Sequence, residues 1–142
     1  MADIAAIRSA IASRLSTLVG NTGQSSAYWL TSPTLPTLQV VAVGPTEYDT
    51  AFGRGGDTLT ATVQGLAGNG LDQAGQIQID DWIDTSGSTS VKAAVETGRP
   101  APVTLGNLVS SCLVTGHSRP QIKRLDNGQE CWSVEFELEI IL

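Results

Sequence analysis

The chain has 142 residues, of which 41% are hydrophobic and 15% charged, with 15 glycines and a formal net charge of −6. That length gives one domain with a sizeable core, and the apolar share excludes a chain that is disordered throughout. The negative balance excludes tight binding of nucleic acid through its phosphates, which needs clustered Lys and Arg, though not a place beside DNA.

Ile4, Ile7, Ile11, Leu15 and Leu18 recur at spacings of three and four, which predicts an amphipathic helix over 3–18 with Asp3 as N-cap and Gly20 as the stop. Arg8 and Arg14 interrupt any continuous apolar start, so no signal peptide is expected. No stretch reaches transmembrane length, and synthesis in the cytosol follows. Residues 20–36, rich in Gly, Ser, Thr and Pro, form a loop with a short strand at the apolar island Tyr28–Leu30. Pro33 and Pro36 keep this stretch out of a central strand.

Leu38–Val43 is a buried strand closed by Gly44-Pro45, and residues 44–56 are a long connection holding Tyr48, Phe52 and Arg54 among glycines. A connection of that length inside a compact domain is usually functional. Asp57–Leu66 alternates Leu59, Ala61 and Val63 against Thr58, Thr60, Thr62 and Gln64, a strand pattern suited to threonine. Leu71–Ile83 is a helix with Leu71, Ala74, Ile79, Trp82 and Ile83 inward. Asp80, Asp81 and Asp84 crowd its C-terminal end against the helix dipole. Ser90 caps a short helix over Val91–Thr97, and Gly98 stops it.

Leu108–Arg119 pairs with the C-terminal strand Cys131–Leu142 in a hairpin spanning 108–141. Pro120 demands a break in it. Taken as a two-residue turn, Asn127-Gly128 sets Arg124 opposite Cys131. The C-terminal strand is the clearest element. Trp132, Val134, Phe136, Leu138 and Ile140 fall on one face, and Ser133, Glu135, Glu137 and Glu139 on the other. The order αββααββ describes an α+β, two-layer domain over 1–142, a four-stranded and mainly antiparallel sheet with helices on its apolar face.

Catalytic signatures are missing from this sequence. His117 stands alone without metal-ligand spacing, and the Gly53–Gly56 run lacks the Lys and hydroxyl of a phosphate loop. Gly65, Gly68 and Gly70 miss the dinucleotide spacing, and no G-x-S-x-G occurs. Cys112 and Cys131 read as buried thiols rather than a disulfide. The aspartates at 80, 81 and 84 read as a solvated helix end, and Glu135, Glu137 and Glu139 have no partner nucleophile. No catalytic, metal-binding or cofactor-binding residue is assigned, and the chain reads as a non-enzyme.

A run of features resembles one family. Strand 38–43 is followed by Tyr48-Asp49, by Phe52-Gly53-Arg54-Gly55 and by the strand from Asp57. The helix ending Trp82-Ile83, then Ser86-Gly87-Ser88-Thr89-Ser90-Val91-Lys92-Ala93-Ala94, and then Thr104-Leu105-Gly106 complete the order. This order is similar to the tail terminator (tail completion) proteins of long-tailed bacteriophages, especially those of actinobacteria. The resemblance covers about residues 4–141 and is structural rather than catalytic.

It implies a virion protein of the phage neck: a small α+β subunit that closes with copies of itself into a ring, usually a hexamer. The ring caps the finished tail tube, stops polymerisation of the tube protein and presents a surface to the head connector, while DNA passes through the hole without specific binding. No cofactor and no membrane are implied. Tyr48, Phe52 and Arg54 are the candidates for contact with the next subunit or the tube, and Glu135, Glu137 and Glu139 for the channel wall. Two other readings stay open: a head–tail connector, stopper or head-completion protein of similar size, and a small ligand-binding domain or enzyme.

Overall fold

A computed structural model describes residues 4–19, 23–30, 36–47, 58–68, 73–97, 105, 109, 111–125, 128 and 130–141, without the side chains of 45–47. Its elements are α1 (Ile4–Val19), β1 (Gln24–Ser26), β2 (Thr37–Glu47), β3 (Thr58–Ala67), α2 (Gln73–Ile83), α3 (Val91–Val95), β4 (Ser111–His117), β5 (Gln121–Arg124) and β6 (Glu130–Ile141). The fold is mixed α+β, as expected, but among the described residues the sheet has six strands rather than four, in the order αβββααβββ.

The strands lie β1-β2-β3-β6-β4, with β5 paired to the first half of β6 and β4 to its second half. All pairings are antiparallel except β1 with β2.

Two differences account for the extra strands. The short strand in the first loop is Gln24–Ser26, parallel to Thr37–Gln39, and not Tyr28–Leu30. Backbone pairing decided it: Gln24 N donates to Pro36 O at 2.9 Å, while Tyr28 and Trp29 turn outward, each 53% exposed. The expected single strand 108–119 is shorter, and Pro120 separates β4 from β5. At that break Ser118 stands in for the ladder, its N–H donating to Glu135 O at 2.8 Å and its Oγ accepting from Glu135 N at 3.0 Å. Proline has no N–H to contribute there.

The hairpin register also differs from expectation. Arg124 pairs with Glu130 and Lys123 with Cys131. That pairing leaves five residues, 125–129, in the connection, within which Gly128 closes back on Leu125, N to O at 2.9 Å, with φ at +85°. Arg124 and Glu130 form an ion pair across the new register at 2.8 Å. β2 runs on to Glu47, past the end expected at Val43, by taking register shifts between Val40 and Ala42 and between Val43 and Thr46.

One core gathers all three helices onto one sheet face. Ile7, Ile11, Leu15 and Val19 of α1, Ile79 and Trp82 of α2, and Val91 and Val95 of α3 meet the inward rows of the strands. Those rows are Leu38 and Val40, then Leu59, Ala61 and Val63, then Val134, Phe136, Leu138 and Ile140, with Cys112 and Val114. The α1 stripe drifts from the expected one. Ile4 is 38% exposed and Leu18 only half-buried, while Val19 completes the four-residue spacing. In α2 the expected inward Ala74 is exposed and Gly75 is buried, because Gly75 sits against the backbone of Gly68.

α3 is fixed at both ends. Ser90 caps α3 by accepting from Ala93 N at 3.2 Å. Arg14 reaches from α1 to the carbonyls at and just past the end of α3, Val95 O at 2.9 Å and Thr97 O at 3.2 Å. A cation there satisfies orphan acceptors and suits the negative helix end. Among the described residues no helix is long and apolar enough to cross a membrane.

Candidate functional site

The sheet has a second face, which the helices do not cover. Register puts Thr60 beside Glu139, Thr62 beside Glu137 and Gln64 beside Glu135. Leu113 flanks Glu139 on its other side, and Gly116 flanks Glu137. Glu135, Glu137 and Glu139 are exposed, while the residues between them, Phe136 and Leu138, are buried. Strict alternation along β6 therefore fixes all three carboxylates on one surface, about 7 Å apart along the strand. Their direct cross-strand neighbours are threonine, glutamine, glycine, leucine and Ser118, so the row presents negative charge without an ion pair among the described residues.

The face is not uniform. Towards the other end of the strands it is closed over. Gln39 Nε2 donates to Gln64 Oε1 at 2.9 Å, and Gln39 Oε1 accepts from Leu30 N at 2.9 Å. Both glutamines are buried, with Thr37 beside them, and Leu66, Leu125 and Cys131 make a small second core. Strand alternation had put Gln64 on the polar face, but nothing local showed that it pairs with Gln39 in a buried bridge. The open part of the face is thus the end that carries the glutamates.

Glu96, Cys112 and Cys131 are buried and structural. Glu96, buried at the end of α3, accepts from Lys92 Nζ at 2.6 Å and from Val114 N at 2.9 Å. It ties α3 to β4 and is not a free acid. Burial pushes the Cys112 thiol up to about 12, with Arg14 pulling down and Glu96 adding to the rise. Burial also raises Cys131, against the pull of Lys123. Neither is a ready thiolate at neutral pH. Both are free, and they sit nine residues apart along the β6 register and on opposite faces, so no disulfide joins them.

Asp80, Asp81 and Asp84 are exposed at the end of α2, where Asp84 Oδ1 accepts from Thr85 N at 2.7 Å. His117 is exposed, with Nδ1 2.8 Å from Ser118 O and its ring 6.2 Å from that of Phe136. Among the described residues no group of three or more His, Cys, Asp or Glu is arranged to hold a metal ion. Tyr48, Phe52 and Arg54 lie outside the described residues. No family model matches the chain, and no curated protein matches it either.

Proposed function

We propose that this chain is a structural, non-catalytic virion subunit: a tail terminator that closes with copies of itself into a ring, hexameric by the family resemblance. The ring caps the tail tube, ends its polymerisation and joins the tail to the head connector around the DNA channel. The observation that carries this reading is the carboxylate row Glu135, Glu137 and Glu139 on a part of the sheet that is open among the described residues, while the other face is buried under three helices. A wall of carboxylates repels phosphate, so a duplex slides past instead of sticking. A ring needs two different surfaces on each subunit, and a sheet with distinct outer strands, β1 on one side and β4 with β5 on the other, offers them.

The test is to add the purified protein to growing tail tubes and measure their length. Tubes that stop growing and carry the protein at one end support the terminator. Tubes that grow on, with the protein found at the neck of assembled particles, reassign it to a connector or stopper. An image of a ring with the three glutamates on its outer rim sinks the channel-wall role.

A further inference from the structure

One transverse row of the sheet joins two features used by nothing described above. By direct register Val40 lies beside Val63, Val63 beside Phe136 and Phe136 beside His117. At the β2 end of this row, Arg8 donates to Val40 O at 3.1 Å and to Ala27 O at 3.0 Å, and its guanidinium carbon lies 4.7 Å from the centre of the Tyr28 ring. Arg8 thereby pins the chain as it leaves β1, and the next residue, Trp29, is 53% exposed. At the β4 end, His117 and Phe136 help to line a cavity of about 290 Å³. Its apolar lining is the half-buried Ile83 over the buried Trp82, Phe136 and Val114, and Asp84, Lys92 and His117 are its polar groups.

We infer that Trp29 of one copy of this chain enters the β4-side cavity of the next copy, and that this is the head-to-tail contact between subunits. Four observations carry it. A cavity of about 150 Å³ already accepts a benzene ring, so one of about 290 Å³ has room for an indole. The Asp84 carboxylate at the cavity offers an acceptor for the indole N–H. The backbone of Val114 is already occupied, its N–H by Glu96 and its carbonyl by Lys92 at 3.4 Å, so a partner cannot extend the sheet at this point and must engage it through side chains. Charge is complementary too. Arg8 stands beside Tyr28, the residue before the tryptophan, and the exposed Asp84 lines the cavity, whose one lysine, Lys92, is already paired with Glu96.

Trp29 cannot fill its own cavity, because about 14 Å of sheet separates β2 from β4. A knob on one side and a hole on the other, at the same level of the sheet, form the unlike pair of surfaces that a head-to-tail contact requires. The inference rests on the ring reading for its closure.

Sedimentation of the full chain over a concentration series tests it. Oligomers are expected, and Trp29→Ala and His117→Trp, which remove the knob and fill the hole, should each weaken self-association by about tenfold or more. At a concentration low enough for the parent chain to be monomeric, the thermal midpoint of Trp29→Ala should stay unchanged. The decisive sample is an equal mixture of the two variants. Trp29→Ala keeps its hole and His117→Trp keeps its knob, so the mixture should give one-to-one dimers and nothing larger.

Oligomers indifferent to both substitutions overturn the contact while leaving the ring reading intact. A chain still monomeric at about millimolar concentration also overturns it. Rings that need Trp29 yet fail to stop tube growth sink the terminator assignment and leave the contact standing.

Discussion

At Gly65 an added Cβ would lie 2.8 Å from Cζ3 and 2.9 Å from Cε3 of Trp82, an indole that is itself 1% exposed. The contact is with ring atoms of a buried side chain rather than with the end of a flexible one, so Gly65→Ala should cost about 1–3 kcal/mol in a urea melt, the usual range for overpacking. Gly116 has nothing within 4 Å of the same added atom, and Gly116→Ala should leave the melt nearly unchanged. Equal losses at the two sites would mean that backbone conformation, not space, decides.

The Cys112 thiol makes a second prediction at this scale. Its pKa is raised from 9.0 to about 12 by burial, so the folded state holds its proton where the unfolded state releases it. The stabilisation is complete below about pH 9 and falls away between about 9 and 12. In that window the slope is up to about 1.4 kcal/mol per pH unit. Denaturant melts from pH 8 to 11 should show that decline, and Cys112→Ala should flatten it.

Among the elements, the junction of α3 with β4 depends most on one side chain. Glu96 Oε2 serves both Lys92 and the Val114 N–H. Glu96→Ala strands that buried N–H, which costs about 1–3 kcal/mol. It also frees the outer side of β4 for pairing with another chain. The expected result is a lower urea midpoint together with concentration-dependent aggregation. A variant that melts lower but stays dispersed at every concentration would show that the carboxylate holds the helix without guarding the strand.

At the scale of the whole molecule, the charge of the open face decides how it meets DNA. Replacing Glu135, Glu137 and Glu139 together by Lys converts a repelling row into phosphate ligands without touching the buried row between them. The variant should retain duplex DNA at about 50 mM salt and release it as salt rises, because bound counterions are exchanged for lysines. The parent chain should retain none at either salt. Retention by the parent chain at low salt would sink the sliding-channel role of this face.

Local patterning was enough to show which face β6 and most of α1 bury. The alternation from Trp132 to Ile140 gave β6 its two surfaces, the repeat Ile7, Ile11, Leu15 gave α1 its stripe, and Pro120 marked the break between β4 and β5. These are local periodicities, set by side-chain direction along a strand or helix.

Tertiary structure alone decided the partners. That Gln24–Ser26 rather than Tyr28–Leu30 joins the sheet, that Arg124 faces Glu130, that Gln39 meets Gln64 and that Glu96 reaches Val114 all depend on residues distant in the chain. So does the row from Val40 to His117 that sets an exposed tryptophan and a cavity at opposite sides of one sheet. Pairing register follows from turn geometry and from what packs above and below it, and a two-residue period carries no information about either.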